Sequence, residues 1–319
     1  MTYLTVLFLN VISLALYYQL AIRFNIVDQP NERSSHDYIT VRGAGVIFLI
    51  TGLFWALSSA GQHLYIFMGL TSIGLISLLD DIFALPNKLR FVVHTLSVLL
   101  IFLDIGLFSL NIILILSVLI LYLGWINAFN FMDGINGITS FYTLSILLPL
   151  YFAFRDYSTT DTPLILFLGI SVLVFMTLNV RSRALAFCGD VGAIVLAYMI
   201  GYLVITLIIF TGRYEFILLG SVYGVDTIFT IIRRLLKGEN IFQPHRSHLY
   251  QLLSNELNWH YLTVSLVYSL LQLAISMILL FALQAVPQYS ILVASGILIL
   301  TTTTYLVSIK LVTAKLNKV

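Results

Sequence analysis

The chain has 319 residues, 60% of them hydrophobic and 9% charged, with a mean hydropathy of +1.02. Soluble domains carry about 25% charged residues, so the composition excludes a soluble globular protein, while a net charge of +2 says little about partners and the placement of the charges says more. The one cysteine, Cys188, excludes an intramolecular disulfide.

The N-terminus has no basic region, and no small-residue cleavage site follows the first apolar run, which therefore reads as a retained helix. Apolar runs of about 17 to 22 residues predict transmembrane helices near 3–22, 44–61, 63–79, 91–106, 110–127, 137–154, 163–179, 191–210, 215–232, 261–282 and 289–309. The expected fold class is an all-α polytopic membrane protein with about 11 such helices. We expect one integral membrane domain over 1–319, with no soluble domain, repeat or low-complexity tract.

Basic residues set the expected orientation. With the first loop cytoplasmic, only Arg155 and Arg213 of the 16 Lys and Arg residues fall outside. The N-terminus is then external and the C-terminus cytoplasmic. The same inner face collects Asp28, Glu32, Asp37, Asp80, Asp81, Asp133, Asp190, Asp226, Glu239 and Glu256. Basic anchors alone would satisfy the orientation rule, so this many carboxylates beside Arg and His points to a site for anionic ligands and a metal. Loops 23–43, 80–90, 127–137, 180–192 and 233–260 are expected to build it.

Asn127 to Gly137 ends a long apolar run with three amides, a carboxylate and two glycines. Polar groups at membrane depth cost a few kcal/mol each unless they line a cavity or find partners, so such a cluster marks a site. Asn127, Asn130 and Asp133 are spaced i, i+3, i+6 and share an arc of about 120° on a helix. Earlier in the chain, Arg33, His36 and the Arg42-Gly43-Ala44-Gly45 segment combine guanidinium, imidazole and accessible backbone N–H groups, which suits phosphate, although a positive-inside turn explains them as well. Asp80-Asp81 ends a helix, where carboxylates oppose the helix dipole and repel each other unless a cation compensates. Asp190 precedes an apolar run and reads either as a helix cap or as one of the few oxygen ligands that magnesium takes from protein. His245, Arg246 and His248 lie too close together to look like core residues and suit a diphosphate.

In this order the motifs are Asp28-x-Pro30 with Arg33-x-x-His36, Arg42-Gly43-x-Gly45, Asp80-Asp81, Asn127-x-x-Asn130-x-x-Asp133-Gly134, Gly189-Asp190-x-Gly192 and His245-Arg246-x-His248. The set resembles the polyprenyl-phosphate N-acetylhexosamine-1-phosphate transferase superfamily, of glycosyltransferase family 4 type, over residues 23 to 255. The resemblance implies an enzyme of the bacterial inner membrane, with its active site on the cytoplasmic face. It would move a sugar-1-phosphate, of N-acetylhexosamine type, from a UDP-sugar to undecaprenyl phosphate, releasing UMP, with magnesium, or manganese in its place, as cofactor. Undecaprenyl phosphate, the UDP-sugar and membrane lipid are the implied partners, a homodimer the assembly considered, and nucleic acid is excluded. By resemblance Asp190 is a metal ligand with Asn130 as a second contact, and Asp80 and Asp81 attend the acceptor phosphate, as base or only as positioning groups. Asp133, Asn136 and Phe187 fall at the nucleotide, Phe187 stacking on uracil. His248, with His245 and Arg246, would hold the diphosphate or sugar, and Arg33, His36, Arg42 and Asn127 join the substrate-binding set.

Three positions depart from the wider pattern: Val41 stands where proline often precedes the arginine, Ala44 replaces the second paired glycine, and Ala84 replaces the third carboxylate of an Asp-Asp-x-x-Asp motif. The last of these weakens an aspartate-rich metal cluster there. The stretch from Pro244 to Gln251 looks more like the O-antigen initiating branch than the muramoyl-pentapeptide enzymes, which disfavours lipid I synthesis. A transporter should carry polar groups near the bilayer midplane and broken helices, whereas here they gather at one edge. An aromatic prenyltransferase would need a second aspartate-rich motif.

Overall fold

A computed structural model describes residues 2–29, 38–59, 61–155, 161–241, 243 and 245–317. The long helices are α1 (Thr2–Arg23), α2 (Val46–Ser58), α3 (Leu64–Phe83), α4 (Asn87–Asp104), α5 (Ile112–Met132), α6 (Ile138–Arg155), α7 (Thr162–Asn179), α8 (Gly189–Thr211), α9 (Ser221–Leu236), α11 (Tyr261–Ala285) and α12 (Ser290–Leu316), with a short α10 (Leu249–Gln251) running into a π turn over Leu252–Glu256. Each predicted run is thus helical. Nine stretches among the described residues are helical, long and apolar enough to cross a membrane. The two other predicted spans differ for physical reasons. At 13 residues, α2 is about 20 Å long against a hydrocarbon core of about 30 Å. In α4, Lys88, Arg90, His94 and Asp104 interrupt the apolar run.

The helix at the centre is α8, apolar on every face and buried along most of its length, as such a helix must be. It packs on α2, α3, α5 and α6. Glycine sets one of these approaches. A methyl group on Gly45 would lie 2.3 Å from the Cα of Gly192, so the start of α2 and the first turn of α8 meet backbone to backbone. There Ala44 N–H donates to Phe187 O and Gly45 N–H to Cys188 O, both at 3.0 Å. Val27–Asp28 and Thr40–Val41 form a two-stranded antiparallel pair, and Val41 also bridges Ala186 in parallel. The long helices alternate in direction. This brings the ends of α1, α3, α5, α7 and α9 and the starts of α2, α4, α6, α8 and α11 to one end of the bundle.

Candidate active site

Three carboxylates and two guanidinium groups form the polar centre of that end. Asp80 and Asp81 close α3, and the three-residue connection Ala84–Pro86 returns the chain as α4, which sets Arg90 beside them. Arg90 reaches Asp80 Oδ2 at 2.5 Å and Asp190 Oδ2 at 3.1 Å. Arg42 donates from Nε to Asp81 Oδ1 at 2.8 Å and lies 3.5 Å from Asp190 Oδ1. The repulsion expected between Asp80 and Asp81 is therefore offset by two arginines, one of which, Arg90, was absent from the site expected from sequence. Its signal is a basic residue in the first turn after a tight helical hairpin. Burial works against the charge on Arg42, but Asp81, Asp190 and Asp28 outweigh it and hold the guanidinium above its ordinary range.

Asp81 has a second task. Its side chain is 0% exposed and accepts from the backbone N–H groups of Asp190, at 2.9 Å, and Val191, at 3.0 Å. A carboxylate at the end of α3 thus caps the start of α8, where the dipole favours negative charge. Gly189, at φ +73°, permits the contact, since a Cβ there would meet Asp81 Oδ2 at 2.5 Å. Asp190 itself sits in the first turn, its side chain 17% exposed, and is not the cap.

The Asn127–Gly137 stretch ends α5 beside this centre. Asp133 is half-buried, and its Oδ1 accepts from the Thr139 hydroxyl at 2.6 Å. Burial pushes its carboxyl up to about 7, against the effect of Thr139. Asn130 makes no side-chain hydrogen bond among the described residues, whereas Asn127 donates back to Leu123 O at 2.7 Å, within its own helix. Asn136 is buried and donates to Arg181 O at 3.1 Å. Phe187 is half-buried at the junction with Val41, to whose carbonyl its N–H donates. Cys188 is buried among these carboxylates, and burial drives its thiol far above the ordinary range, which makes it a packing residue.

The last loop joins the site through Tyr250, whose hydroxyl donates to Phe131 O at 2.9 Å and would lie 2.2 Å from a Cβ on Gly134. His248, expected outside the core, is 2% exposed. Its Nδ1 faces Asp226 at 3.2 Å, a residue that the sequence places among the inner-face carboxylates but to which no role at the site was given. His245 is half-buried. Burial, then His248 and Arg234, lower its imidazole to about 4, so it is neutral near pH 7, with Nδ1 2.9 Å from the Ser247 hydroxyl. Arg246 lies between the two histidines, partly buried. Arg234 serves the loop itself, donating to Glu239 Oε2 at 2.9 Å and Asn240 O at 2.7 Å. Arg33 and His36 lie outside the described residues.

A glycosyl transferase family 4 pattern matches residues 63–208. Among relatives, the protein named probable undecaprenyl-phosphate N-acetylglucosaminyl 1-phosphate transferase in Bacillus subtilis (strain 168) is 28% identical over 281 residues, 78% of this chain and 75% of its own. The undecaprenyl-phosphate alpha-N-acetylglucosaminyl 1-phosphate transferases of Thermotoga maritima and Salmonella typhi are 25% and 28% identical, covering 77% and 73% of this chain and 79% and 70% of their own. By these matches the chain is similar to undecaprenyl-phosphate N-acetylglucosaminyl 1-phosphate transferases, with the family 4 pattern falling on its middle part. The phospho-N-acetylmuramoyl-pentapeptide-transferase of Lactococcus lactis subsp. cremoris (strain MG1363) is 28% identical over 44% of this chain and 43% of its own.

The donor set is compatible, in a limited form, with the magnesium expected from the sequence. Among the described residues no three His, Cys, Asp or Glu side chains converge as a cage. Magnesium needs only one or two protein oxygens and keeps waters and substrate phosphates. Asp190, with part of its carboxylate exposed and its arginines at 3.1 and 3.5 Å, and Asn130, with no side-chain partner among the described residues, fit that requirement.

Proposed function

We propose that this transferase moves a sugar-1-phosphate, of N-acetylhexosamine type, from a UDP-sugar to undecaprenyl phosphate and so starts a cell-envelope polysaccharide. The observation that carries the reading is the meeting of Asp80, Asp81 and Asp190 with Arg42 and Arg90 at one end of the bundle. Two anions must approach each other in this reaction, and a site of fixed, mostly buried charge is the physical requirement for bringing them together. A phosphate oxygen of the lipid attacks the β-phosphorus of the donor, the bond from that phosphorus to the bridging oxygen breaks, and UMP departs with that oxygen. The acceptor is already largely ionised at neutral pH, its second pKa being about 6, so Asp80 positions the acceptor and no separate base is needed.

Arg42 and Arg90 neutralise the phosphates while staying tethered to the carboxylates. Asp133 and Asn136 line the nucleotide side together with Phe187, and His248 reaches the diphosphate. Magnesium, held by Asp190 and Asn130, would supply a Lewis acid that draws charge from the donor phosphates. The site faces the cytoplasm of the bacterial inner membrane in this reading, which the asymmetry of Lys and Arg supports. The O-antigen type branch is favoured by the stretch from Pro244 to Gln251.

The test is a transfer assay. Purified protein in detergent, undecaprenyl phosphate and magnesium are offered a panel of UDP-N-acetylhexosamines, and UMP release is followed beside an Asp190→Asn control. UMP formed with one sugar and lost in the control is expected. No UMP with any donor, from folded protein, would overturn the reading.

A further inference from the structure

The proposed function uses His248 but leaves its surroundings unexplained. The imidazole is buried, with Nδ1 facing Asp226 and Nε2, across the ring, buried without a hydrogen-bond partner among the described residues. Its plane is set by neighbouring rings, with centroids at 5.0 Å for His245, 5.9 Å for Tyr250 and 6.3 Å for Phe131. An orphaned buried polar atom costs about 1–3 kcal/mol unless a ligand satisfies it; His63 and His94 each carry one as well, but His248 stands beside His245 and Arg246 in the loop that joins the site. The orphan here lies on the side away from α9.

Asp226 is held as firmly as the ring it faces. Its side chain is 1% exposed. Oδ1 accepts from the Thr230 hydroxyl at 3.1 Å and from the Leu249 N–H at 3.2 Å, and Oδ2 accepts from the Tyr268 hydroxyl at 2.7 Å. With the imidazole, four donors converge on two oxygens, an arrangement that suits an ionised carboxylate. Such a carboxylate only accepts, so the nitrogen facing it carries the proton. Nδ1 is therefore the N–H, and in the neutral ring Nε2 keeps its lone pair for a ligand proton or cation, while in the charged ring it donates to an anion.

Resting on the transferase reading, we propose that Asp226 is a positioning residue: through Nδ1 it sets the tautomer and aim of His248, so that Nε2 is the atom that meets the donor diphosphate. Asp226 touches no substrate. Tyr268 on α11 and Thr230 on α9 hold it, so the aim of the imidazole is built into the contact between those helices.

Two readouts test this. Full-length protein with 15N-labelled histidine, in detergent and without donor, is compared with His248→Gln to identify the His248 signals. Above pH 8 the wild type should show a protonated Nδ1 and an unprotonated Nε2, and Asp226→Ala should lose that preference. A wild-type ring protonated at Nε2 would overturn the proposal without any assay of activity. In UMP release, Asp226→Ala should lower kcat by about 10- to 100-fold with little change in the KM for the UDP-sugar, and Asp226→Asn, which keeps an acceptor oxygen, should recover much of it. Adding Asp226→Ala to His248→Gln should cost little more than His248→Gln alone, because the two act as a unit. Losses that multiply would overturn the proposal. Should Asp226→Ala fail to fold, the wild-type tautomer and the Asp226→Asn variant decide the matter. If the wild type releases no UMP, the transferase reading fails, while the tautomer still tests the positioning geometry.

Discussion

At the scale of single residues, neighbouring carboxylates carry different loads, and substitutions should separate them. Asp190 is partly exposed and loosely paired, so Asp190→Asn should abolish magnesium-dependent UMP release while leaving the melting temperature in detergent near that of the wild type. Asp81 is fully buried against Arg42 Nε and two N–H groups of α8. Breaking such a set leaves buried donors unpaired, at a cost of about 2–4 kcal/mol once the partial exposure of Arg42 is allowed for. Asp81→Ala should therefore lower the melting temperature clearly, and equal melting temperatures for the two variants would contradict the division. His245 adds a pH dependence. Folding lowers its imidazole to about 4, whereas in the unfolded chain it titrates near 6.5. Its contribution to stability is complete above about pH 6.5 and is lost as the pH falls toward 4. The fall in melting temperature between pH 7 and pH 5 should be smaller in His245→Asn than in the wild type.

Between elements, the site depends on a backbone contact more than on side chains. The start of α2 and the first turn of α8 touch at Gly45 and Gly192, and Gly43 and Gly189 both take positive φ beside Asp81. Gly45→Ala would put a methyl group against main-chain atoms, and overpacking of that kind costs about 1–3 kcal/mol. Its effect should go beyond stability. Separating α2 from α8 also moves Arg42 from Asp190, so Gly45→Ala should depress UMP release even at temperatures where the protein remains folded. Gly124, whose added methyl would meet nothing within 4 Å, is the control, and Gly124→Ala should leave release unchanged.

Across the whole molecule, polar groups gather at both ends but do different things. At the end opposite the site, His63, at the start of α3, lies 3.2 Å from Asp104 Oδ2 and 3.6 Å from Asp161 Oδ1, and stacks on Trp55. It is buried and serves to tie α3, α4 and α7 together. His63→Ala should lower the melting temperature and spare transfer, whereas His248→Ala should cripple transfer. The orientation is checked by labelling. In a Cys188→Ala background, Lys237→Cys should react with impermeant thiol reagents only from the cytoplasmic side, and Tyr214→Cys only from outside.

By itself, the sequence determined the helical class, the place of every long helix in the chain, with ends off by up to about seven residues as in α12, and which loops share a face. Those follow from hydrophobic periodicity and from the placement of Lys and Arg, both written locally in the chain. That Asp80, Asp81, Asp133, Asp190 and His248 stand at helix ends was legible too, because they fall where apolar runs stop. Pairing was not legible. That Arg90 bridges Asp80 and Asp190, that Asp81 caps a helix more than a hundred residues away, and that Asp226 holds His248 depend on which helix ends meet. Only tertiary structure decided those contacts, and it also turned the Asn127 amide back into its own helix. Hydrogen bonds and ion pairs act over about 3 Å, and at that range the packing of α2, α3, α4 and α8 decides the partner.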